Sequence, residues 1–146
     1  MSFNKIHTSE RVTKIFPLLK SRTGLTPNII CRIALCLSIS DPSPPNTRLE
    51  DEKGQEFSRY TLLGEWDSFF ISILRERLIH DKLDPEKDLM PQFKAHINRG
   101  VLAFTARVKD LSDICDLLPN NPNNESFKEI RKEKKKNSSK KTSRRK

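Results

Sequence analysis

The sequence predicts a mainly α protein: a compact helical domain over residues 1–118, with a ribbon–helix–helix-like N-terminal element, followed by a disordered basic tail over 119–146. Three observations carry this. Apolar residues recur at helical spacing in several separate segments, and only short stretches alternate as strands do. Hydrophobic residues make up 34% of the 146-residue chain, and they are concentrated before residue 119. Past Pro119 the composition collapses into NNPNNESFKEIRKEKKKNSSKKTSRRK, a low-complexity stretch without enough apolar surface to build a core.

In chain order, SFNKIH alternates briefly and predicts a short strand. Ser9 suits a helix N-cap, and Val12, Ile15, Phe16 and Leu19 then fall on one helical face. Pro17 interrupts that segment, so the helix is expected to kink there or to restart with Pro17 in its first turn. Gly24 stands where a C-cap belongs. Thr26-Pro27 pairs an N-cap residue with proline at the first helical position. Ile29 to Ile39, IICRIALCLSI, is apolar almost all round, with Arg32 its single charge. A domain this small cannot cover such a helix on every side, so part of its cover is expected from another subunit.

Ser40 to Glu56, with Pro42, Pro44 and Pro45, is an exposed loop whose turn is Lys53-Gly54. Phe57 to Leu63 is expected to be extended. A helix follows Gly64, marked by Trp66, Phe69, Phe70, Ile73 and Leu74. Asp84-Pro85-Glu86 reads as the next helix start, with Leu89, Phe93 and Ile97 on one face. After Asn98-Arg99-Gly100 the apolar residues resume, from Val101 to Leu118, in further helix.

The formal net charge is +9, and its distribution is informative. Residues 128–146 alone supply eleven Lys or Arg against Glu129 and Glu133. Residues 1–39 carry Lys5, Arg11, Lys14, Lys20, Arg22 and Arg32 against Glu10, whereas the middle of the chain is acidic. Basic segments meet nucleic acid or another anionic surface by releasing counterions; Lys-rich termini are also often no more than solvated tails.

Several chemistries find no support. The four glycines are isolated, so no phosphate-cradling loop can be drawn. Cys31, Cys36 and Cys115 lack metal-ligand spacing, His7, His80 and His96 are scattered, and no base is marked to activate a thiol. The expectation is no catalytic residue, no metal and no cofactor. No apolar run approaches the ~18 residues of a membrane span, and no signal peptide is apparent. A cytoplasmic protein with reduced cysteines is expected.

Strand, helix, glycine-containing turn, helix is the order of a ribbon–helix–helix module, and equally that of a generic helical hairpin. Three blocks go further. LKSRTGLTPNIICRIALCLSIS (19–40), GQEFSRYTLLGEWDSFFISILRERL (54–78) and FKAHINRGV (93–101) resemble, in order and spacing, the DndE family, the small subunit of the bacterial DNA sulfur-modification system. The likeness covers roughly residues 3–118. It implies a mostly helical homotetramer that binds double-stranded DNA, nicked DNA preferentially, through surface lysines and without a cofactor. It also implies partners: the cysteine-desulfurase, sulfurtransferase-type and ATPase subunits of that system.

Within the basic front, Lys5, Lys14, Lys20, Arg22 and Arg32 are the DNA-binding candidates. Ser21 and Thr23 can add hydrogen bonds to phosphate, and the helix N-terminus at Thr26 can offer backbone N–H groups. Arg32, amid apolar neighbours, fits an internal ion pair as well. His96 and Arg99 suit a structural role equally. A second function class stands beside DNA binding: an oligomeric scaffold that docks the larger enzymes, with incidental DNA contact. A free-standing ribbon–helix–helix repressor is less well supported, because SFNKIHT shows no symmetric base-reading strand.

Overall fold

A computed structural model describes residues 3–118 of the chain; the predicted basic tail lies outside the described residues. The chain divides into two units, Met1–Leu111 and Ser112–Lys146. Of the second, the described part is the end of a 3-10 turn, Leu111–Leu117.

The first unit is mainly α, as expected. Strand β1 (Lys5–His7) leads into helix α1 (Glu10–Thr23), and helix α2 (Pro27–Ile39) follows. After the loop come strand β2 (Glu56–Ser58), helix α3 (Arg59–Leu63), a 3-10 turn (Gly64–Trp66), helix α4 (Asp67–His80) and helix α5 (Leu89–Arg107). The strand–helix–turn–helix order is present, and β1 finds its partner within the chain: it pairs antiparallel with β2 in the register Ile6↔Phe57.

Local signals explain the boundaries. The Ser9 hydroxyl accepts the Val12 N–H at 3.2 Å and starts α1. Gly24 ends it at φ 73°, a left-handed conformation that glycine adopts without a Cβ penalty. Pro17 neither breaks nor restarts α1; it lies inside a single helix on the solvent side, where water can satisfy the carbonyl it leaves unpaired. Thr26 and Pro27 open α2 as expected, although the Thr26 side chain makes no capping bond. The Lys53-Gly54 turn closes the loop onto α1. A Cβ on Gly54 would lie 2.2 Å from Thr13 Oγ1 and 2.3 Å from the Ser9 carbonyl oxygen, so only glycine fits.

Three expectations need correction. Phe57–Leu63 is not one extended segment. The strand stops at Ser58, whose hydroxyl accepts the Thr61 N–H at 3.1 Å and turns the chain into α3. Nor does Asp84-Pro85-Glu86 start a helix. The Asp84 carboxylate accepts the N–H groups of Glu86 and Lys87 and closes a turn. Helix α5 begins only at Leu89. A start at Pro85 would bury Pro91 in a helix interior at a cost of about 3 kcal/mol, whereas a start at Leu89 leaves it in the first turn, where its missing N–H is not needed. Helix α5 then runs through Asn98-Arg99-Gly100 without a break.

The core sits between α2 and α5. Helix α2 buries Ile30, Cys31, Ala34 and Leu35, and α5 buries Phe93, Ile97, Val101 and Phe104. Gly100 permits the close approach: a Cβ there would lie 1.9 Å from the Ala34 carbonyl oxygen. The small sheet covers one end, where Phe57 meets Phe16 edge-on and Phe3 stacks obliquely on Phe93. The Ser9 N–H donates to Asn98 Oδ1 at 3.1 Å, tying the start of α1 to α5. The outer face of α2 stays partly open: Ile29, Ile33 and Leu37 are half-buried and Cys36 is exposed. Helix α4 buries Phe70, Ile71, Leu74 and Leu78 but leaves Phe69 outside, so its apolar spacing spans two faces rather than one.

Candidate nucleic-acid interface

At 3.6 residues per turn, the solvent face of α1 presents Arg11, Lys14, Lys20, Ser21 and Arg22, while Val12, Phe16, Leu19 and Thr23 point into the core. The structure thus brings together four of the seven sequence-predicted residues. Their surroundings differ along the helix. At the N-terminal end, Lys14 pairs with Glu10 at 3.0 Å and Arg11 faces Glu50 at 3.7 Å. There too Asp51 accepts the Glu10 N–H at 3.0 Å, which places the acidic loop over the helix start. Two loop hydrogen bonds, from the Lys53 and Glu10 N–H groups, hold the Asp51 carboxyl below its usual range. At the C-terminal end, Lys20 and Ser21 are exposed, and neither has an acidic partner among the described residues. Arg22 is half-buried with one guanidinium nitrogen buried and unpaired. The positive character of this face therefore resides in its last turn, beside the uncapped N-terminus of α2.

The other three candidates are placed apart. Lys5 lies on β1, paired at 2.8 Å with Glu56, whose hydrogen bond raises the lysine pKa. Both side chains are well exposed, so the pair contributes little and can be exchanged for a phosphate. Thr23 is buried: its hydroxyl donates to the Leu19 carbonyl at 2.7 Å and accepts the Leu25 N–H at 3.2 Å. It shapes the turn and has no free hydrogen for a ligand. Arg32 donates from Nε to the Leu62 carbonyl at 2.7 Å and reaches the Thr61 carbonyl at 3.4 Å. It meets orphan carbonyls at the end of α3 rather than forming the ion pair that its neighbours suggested.

A second polar centre lies at the C-terminus of α2, where His96 and Arg99 take the structural role that the sequence allowed them. Arg99 donates to the Ser38 hydroxyl and carbonyl, both at 2.7 Å, and to the Ser43 carbonyl at 2.8 Å. Arg77 donates to the Ile39 and Asp41 carbonyls and pairs with Asp81 at 2.7 Å. Burial pushes the Asp81 carboxyl up, but the hydrogen bonds from Arg77 and His80 outweigh it and hold the group below its usual range. His96, fully buried, meets the Ser38 hydroxyl at 2.9 Å. Burial and the two nearby arginines push its pKa down to about 4, so it is neutral at pH 7. The two arginines and the histidine close the carbonyl end of α2 and fix the loop behind it. This is architecture, not an acid–base pair waiting for a substrate.

Among the described residues, no three His, Cys, Asp or Glu side chains are grouped to hold a metal ion. No helix among them is long and apolar enough to cross a membrane. Burial alone pushes the Cys31 thiol up to about 12, which makes it a core group rather than a nucleophile.

Fold and surface together define a small, mainly helical protein that carries a cationic helix end. The family model for the DNA sulphur modification protein DndE matches residues 5–111, and the chain belongs to the DndE family. Two solved structures are similar to it. One is the crystal structure of DndE from Escherichia coli B7A, involved in DNA phosphorothioation modification. It has 25% identity and a TM-score of 0.60, over 71% of this chain and 98% of that one. The other is a DndE mutant carrying lysine in place of two glycines, involved in DNA phosphorothioation. At 23% identity and a TM-score of 0.55, over 72% and 99% of the two chains, it shares the fold. Comparison with curated proteins finds no match.

Proposed function

We propose that this protein is a non-catalytic, double-stranded-DNA-binding subunit of the DNA phosphorothioation machinery that prefers nicked duplexes and contacts phosphates through the exposed face of α1. The observation that carries this reading is the last turn of α1, where Lys20, Ser21 and Arg22 stand together without an acidic partner among the described residues. Beside them, α2 begins with Pro27 at its first position and no side-chain cap, so backbone N–H groups face outward. Lys14 extends the row once a phosphate displaces Glu10, and Lys5 does the same on the sheet by exchanging Glu56. Thr23 and Arg32, committed to backbone groups, support the turn and do not bind DNA themselves.

Such contacts position a duplex without reading its bases. Preference for a nick then follows from deformability: an interrupted strand bends onto the face at less cost than a continuous one. Four phosphate contacts imply that affinity falls roughly 150-fold between 50 and 200 mM salt. The tail beyond residue 118, with its Lys and Arg, adds non-specific attraction.

The partly open outer face of α2, with Ile29, Ile33 and Leu37 half-buried, favours a second role alongside the first. It supports assembly into a homotetramer that docks the sulfurtransferase-type and ATPase subunits in the cytoplasm. The test is to measure anisotropy of labelled intact and nicked duplexes with wild type and the Lys14→Ala/Lys20→Ala variant. DNA binding through α1 predicts weakened affinity for both duplexes, a salt slope shallower by about two, and unchanged partner binding. Unchanged DNA affinity with lost modification activity would leave scaffolding as the main role.

A further inference from the structure

Aromatic side chains divide sharply in this fold. Phe3, Phe16, Phe57, Phe70, Phe93 and Phe104 are buried, whereas Tyr60, Trp66 and Phe69 are 86%, 53% and 54% exposed. All three exposed rings fall within ten residues of chain, from α3 to the start of α4. Trp66 and Phe69 brace each other edge-to-face, with centroids 6.3 Å apart, and Phe69 leans likewise on the buried Phe70 at 5.6 Å. Trp66 and Phe69 are therefore held in place by packing while about half of each is left to solvent. A soluble chain does not leave its largest apolar side chains clustered outside without a use for them.

The surroundings indicate what the rings face. The Arg32 guanidinium lies against Gly64, two residues before Trp66, where an added Cβ would be 2.9 Å from its Nη2. Arg59 neutralises Asp67 through two hydrogen bonds, of 2.5 and 2.7 Å. The patch also joins the cationic helix end: the Asn28 side chain in the first turn of α2 donates to the Thr61 carbonyl at 3.4 Å, one residue from Tyr60. Glu65, exposed beside Trp66, is the opposing charge.

We infer that Trp66 and Phe69 form a stacking platform for an unstacked base of a DNA strand interrupted at a nick or gap. This inference rests on the DNA-binding reading above and assigns the part of the ligand that phosphate contacts cannot distinguish. Phosphates held at the end of α1 bring the duplex to the face. An intact duplex keeps its bases paired and stacked, so it offers the rings nothing. At a strand break the terminal base can leave the stack and lie on an aromatic face, a sequence-independent interaction because every base has a π-face. Selectivity for interrupted DNA then has two sources on one protein edge: easier bending, and an aromatic contact that only a broken strand can make.

Trp66 is the only tryptophan in the chain, so its emission reports the platform directly. The full-length protein is titrated with an intact duplex, a nicked duplex and a duplex carrying a one-nucleotide gap. Trp66 emission and the anisotropy of a label on the DNA are followed in the same samples. The expected result is quenching with nicked and gapped DNA and little with intact DNA. Phe69→Ala and Trp66→Ala each weaken gapped-DNA binding by roughly five- to hundredfold and leave intact-duplex affinity within about twofold, while Trp66→Phe recovers most of the loss. Glu65→Gln tightens binding to all three duplexes. Anisotropy that reports binding to nicked DNA while Trp66 emission stays constant overturns the platform and leaves phosphate binding by α1 standing. An absence of binding to every duplex at low salt overturns both. A Trp66→Ala protein that keeps its preference for gapped DNA but changes its oligomeric mass assigns the patch to a protein partner and overturns the inference as well.

Discussion

Replacing Gly100 with alanine sets two physical effects against each other, and the structure says which one wins. Glycine within a helix costs about 1 kcal/mol relative to alanine, so propensity alone predicts a stabilised α5. Packing predicts the reverse. The new Cβ would lie 1.9, 2.4 and 2.9 Å from the carbonyl oxygen, carbonyl carbon and Cα of Ala34. All three are backbone atoms of a buried helix and cannot swing aside. Restoring ordinary contact requires α2 and α5 to part by roughly 1.5 Å, which strips contacts along the main interface of the core. Overpacking of this kind costs about 3 kcal/mol, at the upper end of the usual range, and the propensity gain offsets about 1 kcal/mol of it. The net loss of about 2 kcal/mol lowers the melting temperature by about 10 °C in a body of this size, readable by circular dichroism. Gly24→Ala is the control. Its φ is 73° with no atom within 4 Å, so only left-handed strain of about 1 kcal/mol applies and the shift is about half as large. A Gly100→Ala protein that melts at or above the wild-type temperature would refute this account of the helix contact.

Three further outcomes are expected. His96 has a folded pKa of about 4, below its ordinary value of 6.5, so between those values the unfolded chain binds a proton that the folded chain does not. Its contribution is fully present above about pH 6.5 and is lost as pH falls toward 4, by up to about 3 kcal/mol; urea midpoints measured across that window for wild type and His96→Gln check this, the variant showing the flatter profile. Arg77→Ala leaves two carbonyls unmet and the buried Asp81 carboxylate with only the exposed His80, and costs about 3–5 kcal/mol; adding Asp81→Asn recovers part of the loss in chemical denaturation. Cys31, buried and with its thiol pushed up to about 12, reacts with a thiol reagent only as fast as the protein opens; mass mapping that finds rapid native labelling at Cys31 would contradict the packing of α2.

What was legible in the sequence, and what was not, follows from the range of each signal. Ser9, Gly24 and Thr26-Pro27 mark helix ends through bonds to residues a few positions away, so a local pattern suffices to find them. Asp84-Pro85-Glu86 carried the local pattern of a helix start, but the Asp84 carboxylate closes a turn there and α5 begins only at Leu89. Gly100 looked like punctuation between helices, although it is the contact that lets two helices meet. Thr23 and Arg32 carry the groups that phosphate binding requires, yet both are spent on backbone atoms, Arg32 on carbonyls about 30 positions away. The exposed rings of Trp66 and Phe69 escaped for another reason: regular apolar spacing identifies a helix but not which of its two apolar faces is covered. The cluster of Ser38, Arg77, His96 and Arg99 is assembled from three helices, and no spacing rule connects them.

The packing of α2 on α5 also sets a schedule for synthesis. Ser38 is held by His96, 58 positions later, and the Ser9 backbone by Asn98, 89 positions later. At typical elongation rates of about 5–20 residues per second, the most apolar helix of the chain waits roughly 3–12 s for the helix that covers it. A nascent chain in that interval exposes Ile30, Ala34 and Leu35 as a ready surface for chaperones or for another nascent copy. Translation speed through residues 40–107 therefore bears on the yield of native protein.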